Sequence, residues 1–131
     1  MNRLTEYFQN LEQQPVLIPY LAAGFPSIME TTQLMHTLVE GGADILEIGA
    51  PFSDPVADGI VIQQAYYRAI TQGTGLKQTL TAITSFRAKN NQTPVVLMTY
   101  LNPIEIMGYE TFIKAVEQAG IDAVLLVDLP G

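Results

Sequence analysis

Glu47 and Asp58 are the two residues whose type and position could carry chemistry. Glu47 lies inside the apolar run Ile45 to Ala50, and Asp58 stands at the far end of the loop that follows it. Two carboxylates at one pocket can divide acid–base work, one moving a proton and the other holding positive charge that develops on a substrate. Alternation along an extended chain puts Ile45, Glu47 and Gly49 on one face and Leu46, Ile48 and Ala50 on the other. A carboxylate in such a strand is costly to bury unless it is paired, hydrogen-bonded or protonated. Each acid also has a purely structural reading. Glu47 could bond a hydroxyl of a neighbouring strand, Thr99 or Tyr100, and Asp58 could cap the helix that begins after Gly59, which is the simpler reading from spacing alone. Asp54, between Ser53 and Pro55, is most simply a turn residue, and Asp128, at the end of the last apolar run, has the same ambiguity as Glu47.

Other chemistries are excluded by composition. The chain has no cysteine and one histidine, His36, which removes thiolate nucleophiles, disulfides, His or Cys metal clusters and a Ser-His relay, so no metal site is expected. Six Lys and Arg against thirteen Asp and Glu give a net charge of -7, leaving no basic surface for nucleic acid. No uninterrupted apolar segment reaches the ~20 residues that span a bilayer, and the chain reads as cytoplasmic.

The elements that must position these acids can be read from the apolar pattern. With 131 residues, 48% of them apolar and 15% charged, the chain is expected to form one domain, residues 1–131, with a buried core. Four runs rich in β-branched residues, 16–22, 45–50, 95–100 and 123–129, read as buried strands. Between them lie helical patterns at Ser27 to Gly41, Ile60 to Gln72, Leu76 to Lys89 and Tyr109 to Gln118, and a weaker one over the first dozen residues. Ser27 with Glu30 has capping-box spacing, and Gly41, Gly73 and Gly120 stand where helices should stop.

Strand starts recur about 30 residues apart, with one longer interval that holds two helices, which is the period of a (β/α)8 TIM barrel at about half its length. The expected fold is therefore α/β, half a barrel of four parallel strands with helices. A flavodoxin-like sheet is the alternative, although its Gly-rich phosphate turn is missing. The outer strands of an open sheet would expose unpaired backbone, so self-association through those edges is expected of the chain alone.

The stretch EIGAPFSDPVADG, residues 47–59, resembles the signature of tryptophan synthase alpha chains. LIPYLAAGFP at 17–26, VLMTYLNPI at 96–104, GYETF at 108–112 and DAVLLVDLP at 122–130 extend the resemblance in order along the chain. It implies a barrel lyase that cleaves indole-3-glycerol phosphate to indole and glyceraldehyde 3-phosphate, a retro-aldol step in tryptophan biosynthesis. By resemblance the catalytic pair is Glu47 and Asp58. Glu47 would move protons between the glycerol hydroxyl and indole C3, and Asp58 would accept the indole N–H. Tyr20, Met98, Tyr100 and Leu125 resemble indole-pocket walls, with Asp128 near the rim. Pro51, Phe52, Asp54, Asn102 and Pro103 resemble the loops that meet a beta subunit, to which indole would be channelled in an alpha2-beta2 type complex. The resemblance implies no cofactor for this chain, with pyridoxal phosphate in the beta partner only. Two positions depart from the common pattern: Phe25 stands where many members carry a polar residue, and Ile60 where proline is usual. The family's phosphate cradle comes from loops after later strands than these four, so the 131-residue chain alone is expected to be nearly inactive. The alternative reading is a non-catalytic barrel fragment that docks on the beta subunit.

Overall fold

The computed structural model describes residues 2–130. Within them the order is α1 (Arg3–Gln9), β1 (Tyr20–Ala22), α2 (Ile28–Glu40), β2 (Leu46–Gly49), α3 (Ile60–Thr71), α4 (Leu76–Arg87), β3 (Val95–Thr99), α5 (Leu101–Met107), α6 (Tyr109–Ala119) and β4 (Ala123–Leu126). The strands form one parallel sheet in the order β1-β2-β3-β4. A doubly wound sheet would reverse direction around its first strand. This one advances by one strand at each crossover, as a barrel wall does.

Register fixes which side chains share a face. Tyr20 lies beside Glu47, Glu47 beside Val96, and Val96 beside Ala123; two residues further on, Ala22, Gly49, Met98 and Leu125 are aligned in the same way. The opposite face carries Leu21, Leu46, Ile48, Val95, Leu97 and Leu126, which pack with Met35 of α2, Ile83 and Phe86 of α4 and Phe112 of α6 into the main core. The sheet thus has a helix-covered apolar face and an inner face that carries Glu47. A second, smaller cluster of Ala22, Ala65, Tyr66, Met98 and Tyr100 sits on that inner face. At the opposite ends of the strands, Asp122, whose side chain is 1% exposed, is bonded by Arg3 at 3.0 Å and Arg87 at 2.9 Å, joining α1 and α4 to the start of β4.

Several element ends differ from the expected ones. The first strand is Tyr20–Ala22 rather than 16–22, because Pro15 and Pro19 have no N–H to donate to a ladder. The approach to it is still held in place: Asp44 accepts from the Leu17 amide at 2.8 Å, and Glu47 donates its amide to the Pro19 carbonyl at 3.0 Å. Ser27 does not complete a capping box; its hydroxyl donates to the Glu30 carboxylate at 2.8 Å and leaves the first-turn amides uncapped by a side chain. Residues 101–107, read as part of a loop, form α5. Pro103 is tolerated there because its position in the first turn requires no intrahelical donor.

Candidate active site

β2 and the loop after it build the site. The strand ends at Gly49, and the following loop folds on itself through two short bonds, from the Val56 amide to the Asp54 carbonyl at 2.8 Å and from the Asp58 amide to the Pro55 carbonyl at 3.0 Å. This brings Asp58 back over the C-terminal end of the sheet. There the Tyr100 hydroxyl donates to Asp58 Oδ2 at 2.7 Å and accepts from the Ala57 amide at 3.0 Å. Tyr100 is 1% exposed, so the loop is pinned to the end of β3 by a buried phenol. Burial and the adjacent Asp58 carboxylate push that phenol up to about 12.

The structural reading of Asp58 is not realised: the N-cap of α3 is Gly59, and the Asp58 side chain faces Tyr100 instead. Nor do Thr99 and Tyr100 hold Glu47. The Thr99 hydroxyl donates to the Tyr100 carbonyl at 3.2 Å, and the Tyr100 hydroxyl is taken by Asp58. Glu47 is half-buried, and its carboxylate has no hydrogen-bond partner among the described residues.

Beside Glu47, Tyr20 donates its hydroxyl to the Tyr66 hydroxyl at 2.8 Å. Burial raises both phenols well above their ordinary range, with the fields of Asp58 and Tyr100 acting in the same direction. Gly49 makes room for the pair, since a Cβ on it would stand 2.1 Å from the Tyr20 oxygen and 2.5 Å from the Tyr66 oxygen. Sequence reasoning missed Tyr66. The spacing of Ile62, Ala65, Tyr66 and Ala69 along α3 marks the buried face on which it sits.

Of the expected pocket residues, Tyr20, Met98 and Leu125 share the inner face with Glu47, and Tyr100 closes its end. Leu125 is 43% exposed, so this wall is open at β4. Asp128 is exposed and accepts from the Leu101 amide at 2.9 Å, which fixes the start of α5. Pro51, Phe52, Asn102 and Pro103 line one groove of about 530 Å³ with Leu76 and Met107. Asn102 and Pro103 do so from α5 rather than from a loop. Asp54 lies outside that groove and is exposed, its carboxylate accepting from the Ser53 hydroxyl at 2.7 Å. His36 is far from this chemistry, its ring packed on Phe86 at 4.7 Å between α2 and α4. No group of acids and histidines that could hold a metal ion is present among the described residues.

A parallel sheet in sequential order, with an acid facing inward and a second acid returned over the strand ends, defines half of a TIM-type barrel with its candidate site at the C-terminal face. Residues 8–131 match the family described as tryptophan synthase alpha chain, and the chain belongs to that family. It is 54% identical to the tryptophan synthase alpha chain of Marinobacter nauticus over 132 residues, covering 99% of this chain and 49% of the relative. The crystal structure of the alpha subunit from Legionella pneumophila superposes with a TM-score of 0.97 at 45% identity, covering 99% of this chain and 50% of that one. The tryptophan synthase α2β2 complex of Pyrococcus furiosus matches at 43% identity with a TM-score of 0.83, covering 88% of this chain and 48% of that chain. The chain spans about half the length of the curated relatives it matches.

Proposed function

We propose that the chain is the acid-bearing half of a lyase that cleaves indole-3-glycerol phosphate to indole and glyceraldehyde 3-phosphate in the cytoplasm. The observation that carries this reading is the placement of the two acids. Glu47 faces inward without a hydrogen-bond partner among the described residues, and Asp58 is held over the same end of the sheet by Tyr100. Breaking the bond to indole C3 requires a proton delivered to that carbon and another removed from the glycerol hydroxyl. An unpartnered carboxylate can do both in turn. Asp58, fixed by a buried phenol, accepts the indole N–H and stabilises the charge that C3 protonation puts on the ring nitrogen. Tyr20, Met98, Tyr100 and Leu125 form the wall for the flat ring, with Asp128 at its rim. No cofactor enters these steps.

The partner we propose is a pyridoxal-phosphate-bearing beta subunit, seated against the groove of Pro51, Phe52, Asn102 and Pro103 and the neighbouring Asp54. That groove also favours a second reading, a fragment that docks on the beta subunit without releasing indole.

Indole release separates the two readings when the chain is fused to the C-terminal half of the Marinobacter nauticus alpha chain. Glu47→Gln in the fusion should lower turnover about 10²–10⁴-fold with substrate affinity broadly retained. Asp58→Asn should slow turnover through lost charge stabilisation. Unchanged turnover in Glu47→Gln would overturn the acid–base role, and beta-subunit binding without indole release would select the docking reading.

A further inference from the structure

Of the arginines, Arg3 and Arg87 both close on Asp122. The remaining one, Arg68, has neither a carboxylate nor a hydrogen-bond acceptor for its guanidinium among the described residues. What it does meet is a ring: the guanidinium carbon stands 5.8 Å from the centre of Phe25. A ring attracts the cation but takes none of its N–H donors, which lie in the guanidinium plane. Arg68 also borders a cavity of about 260 Å³ whose other walls are Tyr20 of β1, Phe25 from the loop after it, and Val61, Ile62 and Ala65 of α3. Positions 61, 65 and 68 recur at helical spacing, so one face of α3 carries apolar wall and cation together. The Tyr20 hydroxyl is taken up with Tyr66 at 2.8 Å, which leaves aromatic and aliphatic surface at the β1 side of the cavity. Gln64 adds an exposed amide at the rim.

We propose that this cavity is a binding site for a small aromatic carboxylate, with the ring against Tyr20 and Phe25 and the carboxylate on the Arg68 guanidinium. Size limits the ligand to one ring or a fused pair, since the cavity is below the ~300 Å³ at which drug-sized sites begin. Charge sets its direction. Burial first, and with it the fields of Asp58 and Glu47, raise the Tyr20 phenol, so an anionic group is repelled from the β1 side and drawn to Arg68. The same fields favour a carboxylate over a phosphate dianion, whose second charge they oppose. A carboxylate is also planar and takes two parallel bonds from a guanidinium. The site does not depend on the lyase reading, although it shares Tyr20 with the wall proposed there for the flat ring.

The probe is benzoate, followed by ligand-observed saturation-transfer NMR on the whole chain at neutral pH. Benzoate should bind saturably, with a dissociation constant in the millimolar range expected of so small a ligand. Arg68→Gln should weaken it about tenfold, the size of one lost charge-assisted pair. Arg68→Lys, which keeps the charge without the fork, should fall between. Arg68 is exposed on α3, so neither change empties the core. Benzyl alcohol, with the ring and no charge, and inorganic phosphate, with charge and no ring, should each bind at least about tenfold more weakly than benzoate. No saturable transfer to benzoate, or equal affinity in the parent and Arg68→Gln, would overturn the site. Benzyl alcohol as tight as benzoate would remove the anion from the proposal, phosphate as tight as benzoate would remove the ring, and either result overturns it. None of these outcomes touches indole release by the fused barrel, so the lyase reading stands or falls separately.

Discussion

Tyr100 divides one hydroxyl between two neighbours, the Ala57 amide and the Asp58 carboxylate, at 3.0 and 2.7 Å. Burial first, and then the bond to Asp58, raise its phenol from 10.0 to about 12, while the Ala57 amide acts in the opposite direction. A phenol that holds its proton more tightly folded than unfolded contributes stability that is complete below the unfolded value and is lost as pH rises through the folded one. The relevant window is pH 10 to 12. Tyr20 and Tyr66 shift in the same direction, chiefly through burial, and add to the loss. Tyr100→Phe should therefore have two effects. At pH 7 it should destabilise the fold by about 1–3 kcal/mol, because the Ala57 amide and Asp58 lose their partner. Between pH 10 and 12 it should make the fall in urea midpoint shallower than in the parent. Equal slopes in parent and variant across that window would assign the alkaline loss to other groups.

Among the elements, α5 most depends on a distant residue. It has seven residues, too few to be stable alone, and no side chain from its own N-cap, Tyr100, bonds its first turn. Asp128 supplies that acceptor from beyond β4. Asp128→Ala should cost about 1 kcal/mol, in the range of a lost helix cap, and should raise the hydrogen exchange rate of the Leu101 amide. Retention of that amide's protection would free Asp128 for a role at the pocket rim alone. The same helix shows what the sequence could and could not disclose. The four strands and the five longer or N-terminal helices were legible, because apolar periodicity and glycine stops such as Gly41 and Gly120 are local signals. α5 was not legible, because its acceptor lies 27 residues away and a proline in its first turn imitates a loop. Glu47 and Asp58 stood out by residue type and loop position. Their actual surroundings did not, since the phenol that holds Asp58 and the one beside Tyr20 arrive from separate elements through tertiary packing.

For the whole molecule, the decisive feature is the pair of sheet edges, β1 and β4, that no strand among the described residues continues. Beside β1, Leu17 is 54% and Ile18 44% exposed; on and after β4, Val124 is 37%, Leu125 43% and Leu129 54% exposed. Apolar side chains beside unpaired strand edges favour association with whatever can continue the sheet. In a closed barrel that is another four strands, and relatives about twice this length have the residues to supply them. A partner half would do more than cover surface. The sequence carries a net charge of -7, which holds a phosphate poorly by long-range attraction, so on the proposed lyase reading the substrate's phosphate would need amide-lined loops to anchor it. Anchoring at the phosphate is what would align the reacting bond with Glu47 and Asp58. Adding the C-terminal half of the Marinobacter nauticus alpha chain in trans should therefore produce a one-to-one complex, slow exchange at the amides of β1 and β4, and raise indole release from near background by at least about a hundredfold, within the range attributed to positioning. The chain without that half should self-associate through the same edges at micromolar concentration, as sedimentation would show. If the isolated chain sedimented as a monomer and cleaved indole-3-glycerol phosphate as fast as the complex, neither the exposed edges nor the missing anchor would limit it, and the two acids would suffice without a closed barrel.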